Sequence, residues 1–260
     1  SWTTDFIFSY AKNRITNLKS NASVISMISG SGFAMEGYPV RSLFSMDFRG
    51  LNEQGIPTFI NEDGQLTTSS INFQEQNKKD HLIYEGPTDP TITGSFGNSF
   101  RYKNVHLNVF ITYSAGNVVR LDPVFHNKYS DLDAMPKEFV NRWTTSGDEL
   151  RTIIPVIADK RANQQDPYLS YAYNAYNYST ARIAKGDFIR MKEISLTYSF
   201  PKVLVTRWKL SDLSLKFQAT NLFLIYSDKK LNGQDPEFFN TGGVASPLPK
   251  QFTLTLKLGI

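Results

Sequence analysis

The sequence predicts an all-β chain, and its pattern favours the wall of a transmembrane β-barrel over a soluble sandwich. Two observations carry this. Seven segments alternate with period two, one face apolar or aromatic and the other small, polar or charged. Their connections are very unequal, with tight turns after Tyr102 and Phe200 and long loops after Phe48, Tyr113 and Phe223. Compact soluble domains mostly join their elements through about 4 to 6 residues. Outer-membrane barrels instead combine short turns on one side with long loops on the other.

The first segment sets Trp2, Phe6, Phe8 and Tyr10 against Thr3, Asp5, Ile7 and Ser9. The second, within residues 38–48, sets Tyr38, Val40, Phe44, Met46 and Phe48 against Arg41, Ser45 and Asp47. A hairpin follows, with Phe96, Phe100 and Tyr102 against Ser95, Gly97, Ser99 and Arg101, returning through "LNVFITY". The next segment opposes Ile194, Leu196, Tyr198 and Phe200 to Glu193, Ser195, Thr197 and Ser199. Leu213, Leu215, Phe217 and Ala219 then face away from Ser214, Lys216, Gln218 and Thr220, and this strand is expected to close at Asn221-Leu222-Phe223. The last sets Phe252, Leu254, Leu256 and Ile260 against Thr253, Thr255 and Lys257.

This reading puts Tyr10, Tyr102, Tyr198 and Phe200 beside the short turns and Trp2 at the opposite end, as two aromatic girdles. The connection after Tyr10 is then a long one on the short side. Arg190 and Lys192 are expected on the outward face at the long-loop end, level with anionic headgroups. Alternation alone also fits a soluble or surface-attached carbohydrate-binding β-sandwich, whose two sheets bury the apolar faces against each other.

Composition narrows the classes. The chain has 260 residues, 40% of them hydrophobic and 20% charged, with 19 Phe and 13 Tyr, which describes an ordinary folded protein. Without cysteine there is no disulfide framework and no thiol chemistry. The net charge of +4 comes from scattered residues such as Lys78-Lys79 and Lys229-Lys230, without the basic stripe a nucleic-acid surface requires. No run reaches the ~18 apolar residues of a membrane helix, and the sequence opens directly on a strand without a signal peptide.

Catalytic and metal signals are weak. His81, His106 and His126 are far apart, and metal sites need converging ligands. Asp131-Leu132-Asp133 and Glu62-Asp63-Gly64 lack the spacing of a calcium loop and read as turns or caps. "SDLDAMPKEFVNRW" reads as a short loop helix with an Asp or Ser cap and Pro136 in its first turn. The most suggestive cluster is Tyr168, Tyr171, Tyr173, Tyr176 and Tyr178. Such rings suit stacking on a sugar, gripping a peptide or meeting a partner protein, and equally suit packing a long loop.

The ordered series "GDFIRMKEISLTYSFPKVLV", "LSLKFQATNLF", "NGQDPE" and "PLPKQFTLTLKLGI" resembles the C-terminus of SusC/RagA-type TonB-dependent outer-membrane transporters. Upstream, "EGYPVRSLFSMDFRGL" and "YEGPTDPTITGSFGNSFRYKNVHLNVFITYSAGN" are similar to preceding segments of that family. The resemblance implies that residues 1–260 are the C-terminal portion of a barrel of about 22 strands around a plug, with this chain supplying about seven antiparallel strands and long extracellular loops. The plug and the TonB-contacting segment would lie outside it. It further implies import of glycans or oligopeptides with a SusD-like surface lipoprotein, energy through TonB, an outer-membrane location with a periplasmic C-terminus, and neither cofactor nor catalysis. A structural role in the outer membrane is the other family reading. On this basis Asp5, Arg41, Asp47, Arg101, Glu193, Lys216 and Lys257 are expected to line the lumen. Asn221, Leu222, Phe223, Asp235, Pro236 and Glu237 would be structural motif residues, with Phe223 and Tyr226 as outer aromatic anchors. Ile260 departs from the terminal aromatic more usual in the family.

Overall fold

A computed structural model describes all residues except 20, 31, 124, 126–134, 158–163, 165 and 240–248. In chain order the strands are β1 (Trp2–Tyr10), β2 (Ser42–Met46), β3 (Phe48–Leu51), β4 (Pro57–Ile60), β5 (Leu66–Thr67) and β6 (Leu82–Pro87). They continue as β7 (Ile92–Tyr102), β8 (Val105–Ala115), β9 (Val118–Arg120), β10 (Ile183–Lys185), β11 (Phe188–Ser199), β12 (Asp212–Ser227) and β13 (Gln251–Gly259). Among the described residues three α-helices accompany them: α1 (Val24–Ile28), α2 (Leu169–Asn177) and α3 (Lys202–Arg207). The chain divides into two compact units. One comprises Ser1–Lys12, Asp89–Asn117 and Lys185–Ile260; the other comprises Asn13–Thr88 and Val118–Ala184.

The first unit is built on a six-stranded antiparallel sheet in the order β1-β7-β8-β11-β12-β13. Its register shows why the period-two pattern is so regular. One row across all six strands is Trp2, Phe100, Leu107, Leu196, Phe217 and Leu254; the adjacent row is Thr3, Ser99, Asn108, Ser195, Gln218 and Thr253. Successive residues of a strand point to opposite faces, so the first row is wholly apolar and the second wholly polar. The apolar face lies open, with Phe6 65% and Leu254 69% exposed, so among the described residues no second sheet covers it as a sandwich would require. One polar residue on that face, Asn98, is satisfied by Trp2 Nε1 and Thr4 Oγ1, each donating to its Oδ1 at 2.9 Å.

Every long connection leaves and re-enters the sheet at one end. β1 rises from the short-turn end, because Trp2 pairs with Phe100 and Tyr10 with Ile92. Long excursions join β1 to β7, β8 to β11, and β12 to β13, while the other end carries only the Lys103-Asn104 turn and the α3 turn.

Three expectations are corrected here. Residues 38–48 supply no strand to this sheet: β2 pairs with β6 in the second unit, where Leu43, Phe44, Ser45 and Met46 are all buried. The alternation there records a strand buried on both faces, and it places Arg41 and Asp47 in the second unit. Without that strand β1 reverses direction, so Trp2 joins Phe100 and Tyr102 at the short-turn end and Tyr10 sits at the long-loop end. The exceptional connection after Tyr10 disappears. Finally, β12 does not close at Phe223 but runs to Ser227; Asn221 adopts φ 53° at an irregularity in the β11–β12 pairing. Asparagine tolerates this left-handed conformation better than other non-glycine residues.

The second unit holds the small sheets β2–β6 and β3-β4-β5, strand β9, and helices α1 and α2. Its core joins Val24, Met27 and Ile28 of α1 to Phe44, Met46 and Phe59 from the strands and to Leu169, Tyr173 and Tyr176 of α2. Phe125 stacks on Tyr173 with 4.8 Å between ring centroids, and its ring lies tilted against that of Phe139 at 5.1 Å. "KEFVN" (Lys137–Asn141) forms a 3-10 helix rather than an α-helix and begins after Pro136. The expected Asp or Ser cap, including Asp131 and Asp133, lies outside the described residues, as does His126.

Gly94 is a required glycine in the first sheet. A Cβ there would strike the Ile7 carbonyl and the Tyr113 ring, which crosses Gly94 to donate to Ile7 O at 3.0 Å. Gly94→Ala is expected to weaken the β1–β7 pairing by roughly 1–3 kcal/mol, read as a lower temperature of heat-induced unfolding of the full-length barrel in dodecyl sulfate.

Candidate functional site

Three features of the structure bear on function: the polar face of the sheet, a buried ionic anchor at its long-loop end, and an aromatic-edged cavity in the second unit.

On the polar face, five of the seven proposed lumen residues fall into register. Asp5 and Glu193 share the row Asp5, Gly97, Phe110, Glu193, Thr220 and Gln251. Arg101 and Lys216 share the row Arg101, His106, Thr197, Lys216 and Thr255, nearer the short turns, and Lys257 pairs with Ser214 still nearer them. The face therefore carries its carboxylates toward the long loops and these cations toward the short turns. His106 belongs to this face, with Nε2 2.6 Å from Ser99 Oγ.

Arg190 is not on the outward face. The register of β11 against β8 slips between Met191 and Glu193, so one extra residue reverses the alternation. Arg190 thus pairs with Thr112 on the polar side, while Met191 keeps the apolar row Phe6, Phe96, Ile111, Met191 and Phe223 continuous. There the buried Arg190 donates from Nη2 to Asp235 Oδ1 at 2.5 Å and lies 3.1 Å from Glu237 Oε2. Asp235 also accepts from the Glu237 amide, capping the 3-10 turn Pro236–Phe238. The Asp-Pro-Glu sequence is therefore an anchor as well as a turn: Pro236 sets the first helical φ while both acids hold Arg190. A second tie comes from Asp228, which accepts from the Lys185 and Lys230 amides at 2.8 and 2.9 Å. Burial works to raise the Asp228 carboxyl, but these bonds outweigh it and hold it below its ordinary value.

In the second unit the tyrosine cluster splits by helical geometry. Tyr173 and Tyr176, three apart on α2, face the core, and Tyr173 donates to Val156 O at 2.8 Å. Burial pushes the Tyr176 hydroxyl up to about 12. Tyr178 packs beneath the buried Arg120 guanidinium, 5.7 Å from its ring centre, and burial lowers that guanidinium to about 10. Tyr168 and Tyr171 instead remain 60% and 42% exposed. They edge a cavity of about 780 Å³ whose lining includes Asn72, Gln74, Asn174 and Glu62. Phe73 stacks on Tyr171 at 5.8 Å and holds its ring in place. The lining combines aromatic edges, amides and hydroxyls with one carboxylate and no basic residue, which suits a neutral polar ligand.

Glu62-Asp63-Gly64 forms the β4–β5 turn, in which Asn61 Oδ1 accepts from the Asp63 and Gln65 amides and Gly64 takes φ 75°. No group of three potential metal ligands converges among the described residues. No helix among them is long and apolar enough to cross a membrane.

No family model matches the chain. It is 24% identical over 252 residues to the TonB-dependent receptor P3 of Formosa agariphila, covering 91% of this chain and 23% of that protein. It is 25% identical to TonB-dependent receptor P39 of the same organism, covering 95% of this chain and 26% of that protein. Among solved structures, the RagAB peptide transporter matches all of this chain with a TM-score of 0.72 at 23% identity. The RagAB peptide importer in its open-open state gives 0.70 at 21%. The chain carries the barrel fold of TonB-dependent receptors. It spans about a quarter of the length of the relatives it matches, so the sheet is part of the wall of a larger transmembrane barrel, and TonB-dependent receptors are outer-membrane proteins.

Two measurements probe the buried charges. Asp235→Asn strips Arg190 of its buried charge partner and is expected to cost about 3–5 kcal/mol, whereas the more exposed Glu237→Gln costs less than about 1 kcal/mol; urea unfolding of the full-length protein separates the two. His81 is buried with no hydrogen-bond partner for either ring nitrogen among the described residues, and that burial lowers its pKa despite Glu62, Asp80 and Glu75 nearby. The unfolded state therefore binds its proton first, and stability falls as pH drops from its ordinary value of 6.5. His81→Gln is expected to flatten that loss, measured by thermal unfolding between about pH 5 and 7.

Proposed function

We propose that residues 1–260 form the C-terminal barrel portion of a TonB-dependent importer of large nutrients, glycans or oligopeptides, working with a SusD-like surface lipoprotein. The observation that carries this reading is the register itself: an apolar face open to lipid, a polar face opposite, and all long connections at one end. In a barrel the polar face lines the lumen, so Asp5, Arg101, Glu193, Lys216 and Lys257 become lumen residues. The long-loop end is then the cell surface and the short-turn end, with Gly259, the periplasm. TonB would act through a part of the receptor outside this chain, and these residues are assigned no covalent chemistry. RagAB is a peptide transporter, and a peptide backbone or an uncharged sugar both fit the amide-lined cavity beside Tyr168 and Tyr171.

The test is uptake and ligand binding by the full-length receptor with its lipoprotein. Replacing Tyr168 and Tyr171 together by alanine is expected to weaken capture of the imported oligosaccharide or peptide by roughly 10- to 100-fold, about 1–3 kcal/mol for two aromatic contacts. The barrel should fold normally. Unchanged import and affinity in that variant would remove the cavity from the reading. Import that continues after deletion of the TonB gene would remove the transporter itself.

A further inference from the structure

We propose that the short-turn end of the sheet is a seat for anionic phospholipid headgroups, formed by α3 together with the neighbouring β7–β8 turn. This rests on the sheet being a membrane-barrel wall. Within the turn from Phe200 to Ser211 the charged residues are Lys202, Arg207 and Lys209, all basic and all exposed. Lys103 on the neighbouring turn adds a fourth cation, its Nζ 5.4 Å from the centre of the Tyr102 ring. None of the four forms an ion pair with a carboxylate among the described residues. The nearest acid in sequence, Asp212, opens β12 and is exposed.

The geometry makes these side chains one surface. Ser199 N donates to Asn104 O at 2.9 Å, which ties the two turns together. Val205 is buried and fixes α3 to the sheet, and Leu210 N closes the helix onto Val205 O at 3.1 Å while Lys209 turns the chain with φ 58°. Ser211 N then donates to Gly259 O at 2.9 Å, joining the turn to β13. A short helix already seated by the buried Val205 gains nothing from surface hydrophobics, yet Val203 is 82% and Trp208 56% exposed, with Leu204 between them. Leu204 and Trp208 are four apart and share a flank.

Exposed apolar and indole side chains interleaved with unpaired cations are the composition of a membrane interface: the former reach the acyl boundary and the latter meet phosphate. Continuity decides for lipid as the occupant. The row just inside the turns is Tyr102, Val105, Tyr198, Leu215 and Leu256, and Phe200 packs edge-on against Tyr198 at 5.1 Å. The two apolar rows nearest this end, that of Trp2 and Phe100 and that of Tyr102 and Val105, therefore run up to the basic turns. A cation near an anionic surface strengthens binding by roughly fivefold each.

The experiment uses the full-length receptor, delipidated in detergent and titrated with dioleoyl-phosphatidylglycerol or dioleoyl-phosphatidylcholine under native mass spectrometry. Wild type is expected to bind the anionic lipid at least about tenfold more tightly. The variant carrying Lys103→Gln, Lys202→Gln, Arg207→Gln and Lys209→Gln should lose that preference while still showing the heat-dependent gel shift of a folded barrel. Equal binding of both lipids by wild type, or a preserved preference in the variant, overturns the proposal. If the fourfold variant does not fold, the pair Lys202→Gln and Lys209→Gln carries the test with the same two outcomes. A photo-crosslinker at Val203 that captures a protein instead of lipid in cells also overturns it. The gel shift of the wild type reports on the barrel reading separately.

Discussion

A strand crossing hydrocarbon has no water to satisfy its amides and carbonyls, so each must be paired with a neighbouring strand. In this sheet that requirement sets where everything else can go. The pairings of β1 with β7 and of β7 with β8 run unbroken from end to end. The irregularities fall toward the long loops, at Lys192 on β11 and near Asn221 and Ile225 on β12. The same ladder dictates the side-chain pattern, because six strands held in register convert a period-two alternation into whole rows of one character.

This explains both what the sequence made legible and where it misled. The six sheet strands were visible because lipid on one face and water on the other impose opposite demands on neighbouring residues. Residues 38–48 showed the same alternation for another reason: Phe44 and Met46 enter an aromatic core, while Ser45 on the other side lies 3.4 Å from Arg120 Nη2. Alternation reports that two faces differ, and it is silent on what each face meets. That single misplacement reversed β1 and exchanged the ends assigned to Trp2 and Tyr10, because strand direction in an up-and-down sheet is inherited from the count of strands that follow. Arg190 failed differently. One inserted residue changes the parity of everything beyond it, and no period-two reading registers an insertion whose own side chain is an unremarkable lysine.

The tyrosine cluster was legible as a cluster but not as a division of labour. Its spacing belongs to α2, where positions three apart share a side, so Tyr173 and Tyr176 fill the core while Tyr168 and Tyr171 stay outside. Packing and binding were posed as alternatives, and the helix separates them onto different residues. Phe73 shows what sequence reading missed altogether: a residue roughly a hundred positions away that stacks on Tyr171 and lends it rigidity. An exposed ring held by a buried one loses less rotational freedom on contact with a ligand than a free ring would.

The Asp-Pro-Glu sequence brings these themes to one point. A cation on the polar face near the long loops is costly to bury unless its charge is met, and Arg190 is buried. Asp235 meets it at short range while also capping its own turn, and Glu237 sits on the more exposed side of the guanidinium. One carboxylate thereby fixes the loop after β12 to β11, across the stretch where β11–β12 pairing is irregular and Asn221 takes its unusual φ. The ladder is weakest there, and the ionic anchor reinforces it. Because the irregular pairing is what turns Arg190 toward the polar side, the defect and its reinforcement depend on each other. A substitution that restored regular alternation at Lys192 would carry Arg190 toward the apolar face and separate it from both acids.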